Sequence, residues 1–429
     1  MLPEIRQTDY LYKVPQFELD RNDVVDFARE LKGFHENFAD CFQRSESRDN
    51  FYRYMSGQFS QLERKSIEPI AIATEGGKVR AMQRFVSEAP WDDEEIERKY
   101  RSLVNEDLGH SDGAIIFDES GFVKKGDDSI GVGRQYCGTI GKVENCQVGV
   151  FAAYTSVHGY ALIDKRLYIP EHWFSDDYRE KREKCVLPPE IEFKTKPQLA
   201  VEMLRDIVAE QQIPFRYVLA DSVYANSPEF VEAVESLVGV TYLLQVPEDT
   251  LCWLKYPGTI TKTYKYKGKV RTKKITSDQA REPISIKTLA AGINDFFWYR
   301  RKVSEGTKGP IEYEFTKRRI VLSRQGLPHK TVWLLVRRTI GEEPQYSYFL
   351  SNAPASVKLP TLIWLSGLRW AIEQCFEETK TELGMDQYEV RKFPGWHHHI
   401  LTCMLGHYFL WHLKIRLGKK STSHYALAA

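Results

Sequence analysis

The apolar positions of this chain follow two rhythms, one of three and four residues and one of two, and the change between them divides it. Up to about residue 107 the spacing is helical. Val24, Phe27, Ala28, Leu31 and Phe34 form one stripe, Phe51, Tyr54, Met55, Phe59 and Leu62 a second, and Val79, Met82, Phe85 and Val86 a third, each the buried face of a helix. Gly76-Gly77 breaks the chain before the third stripe, and the acids of WDDEE at 91–95 suit the positive end of a fourth helix. From Asp112 the texture turns to strands. GAIIFDES, NCQVGVFAAYT and YALIDKRLYIP read as three strands in succession. Pro197 then opens a helix with the stripe Leu199, Met203, Leu204 and Ile207, which Ile213-Pro214 closes. The strand RYVLADSVYA, a helix from Ser227 to Leu237 with Pro228 in its first turn, and the strand TYLLQV follow. The order strand, strand, strand, helix, strand, helix, strand predicts an α/β sheet with crossover helices.

From Pro247 the period stays near two but the side chains become basic. TKTYKYKGKVRTKKIT and FFWYRRKV read as antiparallel strands with one polar face, and TVWLLVRR and YSYFLSN continue the strand texture. Pro354 and Pro360 introduce a helical end. Within it LRWAIEQCFEETKTELG, 368–384, buries Leu368, Ala371, Ile372, Cys375, Phe376, Thr379 and Leu383 as one stripe. Arg369, Glu373, Glu377 and Lys380 share the neighbouring face, a solvated ion-pair face or a site. The expected organisation is an N-terminal helical domain (1–108), a first part of an α/β core (109–246), a β-rich basic insertion (247–340) and a helical C-terminal part of the core (341–429).

Composition alters this picture only through charge. The 429 residues are globular in make-up, with no run of apolar residues long enough to span a membrane and no secretory leader pattern, so a soluble intracellular protein is expected. The seven cysteines are scattered, with no CxxC, as reduced thiols would be. Net charge is +1, yet the segment from Leu251 to Arg338 holds 21 Lys/Arg against 6 Asp/Glu, so the remainder is acidic. A basic segment in an acidic body implies a polyanion-binding surface, and nucleic acid is the default polyanion. Lys265, Lys267, Lys269 and Arg271, with Arg300 and Arg301 further on, are its candidate DNA contacts. In the third N-terminal helix, Arg80 and Arg84 lie off the apolar stripe, where a recognition helix carries such contacts.

The candidate chemistry is carboxylate chemistry. Asp118 ends the run IIFD and Asp221 ends VLAD, and reacting groups of α/β sheets gather at the carboxyl ends of strands. Either acid alone reads equally as a turn former or helix cap. With Glu373 on the late helix they make a triad of hard oxygen donors suited to magnesium. Two such ions activate the attacking oxygen and stabilise the leaving oxygen of a phosphodiester. Glu377, one turn on, is the rival third ligand. Asp127, Asp128 and Glu119 read as solvated, and the adjacent His397, His398 and His399 diverge around a helix with no zinc-site spacing to complete them.

Several long motifs stand in order: ERKSIEPIA at 63–71, MQRFVSEAPWDDE at 82–94, IIFDESGFVKKG at 115–126, GRQYCGTIGKVENCQVGV at 133–150, VLADSVY at 218–224, and RWAIEQCFEETKTELGMDQYEVRKFPGWHHHI at 369–400. In these the chain resembles the DDE transposases of the IS4-like group, most closely the IS701 family of insertion sequences. The resemblance implies an RNase H-like catalytic core with a β-rich basic insertion and an N-terminal helical domain for DNA binding and dimerisation, and Asp118, Asp221 and Glu373 as catalytic metal ligands. It implies two Mg2+ ions, with Mn2+ substituting, double-stranded DNA as partner, a homodimer as the active assembly, no membrane, and the cytoplasm of a prokaryote, at the nucleoid when DNA is bound. The group's tyrosine, arginine, glutamate, lysine signature matches at Arg369, Glu373 and Lys380, while its tyrosine position holds Ser366. By the same resemblance Arg369 and Lys380 hold phosphates, and a tryptophan of the insertion stacks on a flipped base. Trp298 is the candidate, with Trp253 and Trp333 beside it. The implied reaction is cut-and-paste transposition, cleavage at terminal inverted repeats followed by strand transfer. The alternatives are a catalytically silent DNA-binding remnant and an RNase H-like nuclease without strand transfer.

Overall fold

The computed structural model describes residues 21–267, 269–277, 281–306 and 309–426, and the side chains of 27–267, 269–277, 281–302 and 312–416. Helices α1 (Arg21–Glu36), α2 (Ser45–Gln58), α3 (Ile67–Ala73), α4 (Val79–Ser87) and α5 (Asp93–Leu108) come first. The three stripes are buried through Leu31 and Phe34, through Phe51, Tyr54 and Met55, and through Met82, Phe85 and Val86. Helix α5 starts where its acids predict, capped by Asp92, whose carboxylate accepts the Glu95 N–H at 3.2 Å. Helix α3 escaped the stripe reading because Pro69 interrupts it, yet Pro69 stands in the first turn, where an N–H has no intrahelical partner to lose.

Strands β1 (Ala114–Val123), β2 (Gly133–Cys137), β3 (Lys142–Thr155) and β4 (Tyr160–Tyr168) follow. All pair antiparallel. β1 lies along one edge of β3, from Ala114 opposite Thr155 to Val123 opposite Cys146, while β2 and β4 share the other edge. After α6 (Arg179–Lys184), helix α7 (Lys196–Glu210) begins in a capping box of Thr195 and Gln198 with Pro197 in its first turn. Then come β5 (Tyr217–Ala220), α8 (Ser222–Ala225), α9 (Pro228–Glu235) and β6 (Thr241–Val246), with β5 and β6 parallel. The predicted order of strand, strand, strand, helix, strand, helix, strand is present as β1, β3, β4, α7, β5, α9 and β6, and β2, α6 and α8 are added to it. The β-rich basic insertion supplies β7 (Leu251–Trp253), β8 (Thr259–Tyr266), β9 (Lys269–Thr276), β10 (Ile284–Ser285), α10 (Ile286–Ala291), β11 (Tyr299–Gly306), β12 (Gly309–Arg324) and β13 (Leu327–Thr339). β14 (Tyr346–Ser351), α11 (Leu359–Leu368), α12 (Trp370–Leu383) and α13 (Phe393–Ala426) complete a mixed α/β chain.

Two compact units result. One comprises Arg216–Arg369, and the other runs up to Phe215 and resumes at Trp370. Within the first of these, β6 pairs with β14 (Tyr348 opposite Val246) and β14 with β13. In that unit β8 and β9 form a separate two-stranded ribbon.

In the other unit α7 packs against β3 and β4, and α12 against β1, β3 and β4. Helix α13 is apolar on nearly every side and accordingly central. Trp396, Ile400, Leu401, Met404, Leu405 and Phe409 are buried, and the Tyr54 hydroxyl on α2 meets His399 Nδ1 at 2.8 Å. The helix predicted to begin at Leu368 begins at Trp370 instead, and Leu368 ends α11. Among the described residues no helix is long and apolar enough to cross a membrane.

Candidate active site and nucleic-acid surface

Asp118 lies in the middle of β1 rather than at its carboxyl end, since the strand runs on through Val123. It stands opposite Phe151 of β3, and directly opposed residues of an antiparallel pair share a face. The Phe151 ring meets Phe376 of α12 at 5.2 Å between centroids. The face of β1 that carries Asp118 is therefore the face that α12 covers. Glu373 precedes Phe376 by three residues, one helical turn, and is exposed in the first turn of α12. The next strand residue, Glu119, faces the other way, where its carboxylate accepts a hydrogen bond from Lys196 Nζ at 2.7 Å at the start of α7. The Glu119 N–H donates to Asp118 Oδ1 at 2.8 Å.

Lys380 joins the same two elements. Its ammonium donates to the Gly121 carbonyl on β1 at 3.2 Å and to Thr139 Oγ1 at 3.0 Å. Burial lowers its pKa from the ordinary lysine value, and nearby Asp386 opposes that shift. Asp118 thus lies on the face of β1 that α12 covers, and Glu373 and Lys380 stand two turns apart on one side of α12. Glu377 is exposed beside them. Sequence reading missed Glu378, which is held by the Tyr160 hydroxyl at 2.9 Å, His407 Nε2 at 2.7 Å and Gln374 Nε2 at 3.1 Å. Its place beside the stripe residues Cys375 and Thr379 was the available signal, because a carboxylate there needs partners.

In the other unit Asp221 directly follows β5, as read from VLAD. It also caps α8, Oδ1 accepting the Val223 N–H at 2.9 Å, so cap and strand-end acid describe one residue. Arg369 is the half-buried C-cap of α11. Ser366, at the tyrosine position of the signature, is buried and donates to the Ile363 carbonyl at 2.7 Å.

The basic candidates separate by environment. Lys265, Lys267, Lys269 and Arg271 all lie exposed on the β8–β9 ribbon. Arg300 is exposed but bonded to Glu312, Nε to Oε2 at 2.9 Å, and Arg301 donates to the Arg300 carbonyl. Arg80 and Arg84 are exposed on α4, as is Gln83 between them. Trp298 is only 8% exposed, with the Arg338 guanidinium 4.1 Å from its ring centroid. Phe296, two residues earlier, is 82% exposed, and Phe297 and Tyr299 are exposed as well. Trp253 is buried, its Nε1 donating to the Arg281 carbonyl at 2.7 Å, and Trp333 lies under Lys317 at 4.2 Å. A stacking base has no open face at Trp298, because FFWY packs its third ring inward and turns its first outward.

The three histidines are structural. His398 stacks on Trp91 at 4.0 Å and its Nδ1 meets the Val86 carbonyl at 2.8 Å, while burial pushes the pKa of His398 and of His399 down to about 3. Among the described residues no three His, Cys, Asp or Glu side chains make a ready-built metal cage. Asp118, Asp221 and Glu373 are nevertheless the right kind of donor, all carboxylate oxygen with no thiolate or imidazole, as hard divalent ions require.

Comparison with known proteins supplies the family. Among curated proteins the chain is 24% identical over 372 residues, covering 83% of this chain and 80% of the other, to the probable transposase for insertion sequence element IS701 of Microchaete diplosiphon. Among solved structures it is similar to the piggyBac transposase in a synaptic complex with hairpin DNA, at 8% identity and a TM-score of 0.39, over 91% of this chain and 73% of that one. The NurA nuclease from Sulfolobus solfataricus gives 10% identity and a TM-score of 0.28, over 69% and 86%. Residues 37–310, which include Asp118 and Asp221 and stop short of Glu373, match the family model described as DDE superfamily endonuclease. The chain belongs to the DDE superfamily endonucleases.

Proposed function

We propose that this chain is a DNA transposase of the cut-and-paste kind, which cleaves at terminal inverted repeats and joins the freed ends to target DNA, working as a homodimer. The observation that carries the reading is Asp118 on the α12-covered face of β1, with Glu373 exposed on α12 one turn before Phe376, in a chain of this endonuclease family whose relative is named a probable transposase. Endonucleases of this superfamily work with divalent metal ions. Asp118, Asp221 and Glu373 would hold them, two Mg2+ with Mn2+ as substitute. When bound, such ions supply Lewis-acid polarisation and stabilise the oxygens that attack and leave phosphorus.

The chain's own residues do the rest. The Glu119 N–H on Asp118 and the Val223 N–H on Asp221 orient two of the carboxylates. Lys380 braces α12 on β1 and so holds Glu373 on the side of Asp118. Arg369 would meet a phosphate as a planar fork of donors. Lys269 and Arg271 of the insertion and Arg80 and Arg84 of α4 hold the duplex by neutralising phosphates.

The test is magnesium-dependent cleavage of a duplex bearing the element's terminal inverted repeats, with joined target product scored separately. Alanine at Asp118, Asp221 or Glu373 should each lower cleavage by at least about a thousandfold, the scale of losing a group that acts with its partners as a unit, while DNA binding persists. Activity surviving any one change removes that residue from the site. An inactive wild type that still binds DNA means a silent remnant, and cut ends without joined product mean a nuclease.

A further inference from the structure

The β8–β9 ribbon has two unlike faces, which its register defines. Ile260 stands opposite Ile275, Lys262 opposite Lys273, Tyr264 opposite Arg271 and Tyr266 opposite Lys269. Directly opposed residues share a face, so these eight side chains make one. The other face carries Thr259, Thr261, Thr263, Thr272 and Thr276 with Lys265, Val270 and Lys274. One face is thus cationic and aromatic, and the other is threonine-rich.

Nothing within the ribbon balances that charge. From Thr259 to Thr276 there are seven Lys/Arg and no Asp or Glu. Lys262 and Lys273 oppose each other directly, a destabilising arrangement for like charges. The tyrosines are open, Tyr264 at 43% and Tyr266 at 50% exposure, and Arg271 lies 5.3 Å from the Tyr266 ring centroid. Each strand has eight residues, a span of about 25 Å at ~3.3 Å per residue, most of one ~34 Å turn of duplex. The major groove of B-DNA, ~12 Å wide, admits a two-stranded ribbon.

We infer that the β8–β9 ribbon lies along the major groove of duplex DNA with its Lys262, Tyr264, Tyr266, Lys269, Arg271 and Lys273 face turned inward. This rests on the DNA-processing reading above and deepens it by assigning Lys262 and Lys273 and by separating them from Lys265 and Lys274, which point away. Opposition of Lys262 and Lys273 is relieved when phosphates on the groove walls come between them. Arg271 presents a fork that fits guanine O6 and N7.

Two double variants of equal charge test this. Lys262→Ala with Lys273→Ala and Lys265→Ala with Lys274→Ala each remove two positive charges at exposed positions, so folding, checked by thermal unfolding, should hold in both. The first pair should weaken binding to a terminal-repeat duplex at least tenfold and lower the slope of log K against log salt by roughly two, at about 0.9 per phosphate contact. The second should change affinity less than about threefold. Dimethyl sulfate footprinting should show guanine N7 protected by the wild type and by the second variant, and exposed again with the first. Equal losses from both pairs, or N7 sites left reactive under bound wild type, overturn groove docking while leaving DNA processing intact. A wild type that binds no duplex overturns both.

Discussion

In the unit that carries β1 and α12, Lys165 is 1% exposed and bonded to Glu97, Arg101 reaches Glu97 at 3.6 Å and Glu210 at 2.6 Å, and Arg166 holds Asp164 and Asp206. In the unit that carries the insertion, the β8–β9 ribbon sets lysine against lysine with no acid in eighteen residues. The sequence count alone treats these cations alike. Their surroundings do not. A buried cation is tolerable only with its partner in place, whereas an exposed cation with none keeps its charge available to a polyanion. The acids divide the same way: Glu97 and Glu378 are absorbed into internal networks, while Glu373 and Glu377 face outward from α12.

The contrast breaks first, if it breaks, at Lys165. Lys165→Met leaves Glu97 buried with only the longer contact to Arg101, and should destabilise the chain by about 3–5 kcal/mol in urea unfolding, the cost of orphaning one partner of a buried pair. Lys262→Ala should leave the same curve unmoved. A Lys165 variant as stable as wild type would mean that pairing does not distinguish the two regions. Lys380 sits at the boundary, a lysine of the resembled phosphate-holding signature that is half-buried and bonded to Gly121 and Thr139. As a brace, Lys380→Met should cut DNA cleavage about tenfold, ~1.4 kcal/mol in the barrier, with duplex affinity unchanged. A salt slope lowered by about 0.9 would instead place Lys380 with the ribbon lysines.

The smallest expected effect is a pH dependence. Burial raises the Asp93 carboxyl from its ordinary 3.8 to about 6, with His398 Nε2 3.4 Å away. An acid whose folded pKa is raised retains its proton in the folded state after the unfolded chain has released it. Its contribution therefore destabilises as pH climbs from about 4 to about 6 and is constant above that window. Asp93→Asn should flatten stability over this window and raise Tm at pH 7.5 by about one to two degrees, read by calorimetry at several pH values. A slope that survives the change would assign it to another group.

What the sequence disclosed followed from local physics. The stripe of α4, the Pro197 start of α7 and the strand character of TYLLQV are written in spacings and caps, and each stands where it was read. Two misplacements share a cause, an apolar pattern that runs across a boundary set by tertiary pairing. Leu368 and Ala371 continue one stripe although a helix ends between them. Asp118 reads as the end of IIFD, yet β3 is long enough to pair β1 five residues further, to Val123. At the site, the identities of Asp118, Asp221 and Glu373 came from motif and resemblance, while the common side of Asp118 and Glu373 came from the Phe151–Phe376 contact. No spacing could place that contact, since its two rings are more than two hundred residues apart in the chain. The face division of the ribbon was half legible. The alternation was plain, but which positions oppose each other depends on the turn.

The division of the chain has a consequence for its synthesis. Helix α13 supplies the centre on which the N-terminal helices close, with Tyr54 bonded to His399, Gln58 to Thr402 at 3.2 Å and Tyr408 to Asp107 at 2.7 Å. Those partners are separated by about three hundred residues or more, and the whole of Arg216–Arg369 is made between them. Helices α1 to α5 must wait, with their apolar stripes uncovered, until α13 has left the ribosome. The face that brings Asp118 and Glu373 to one side is completed at the same late moment. A chain released early therefore carries the exposed basic ribbon without that face.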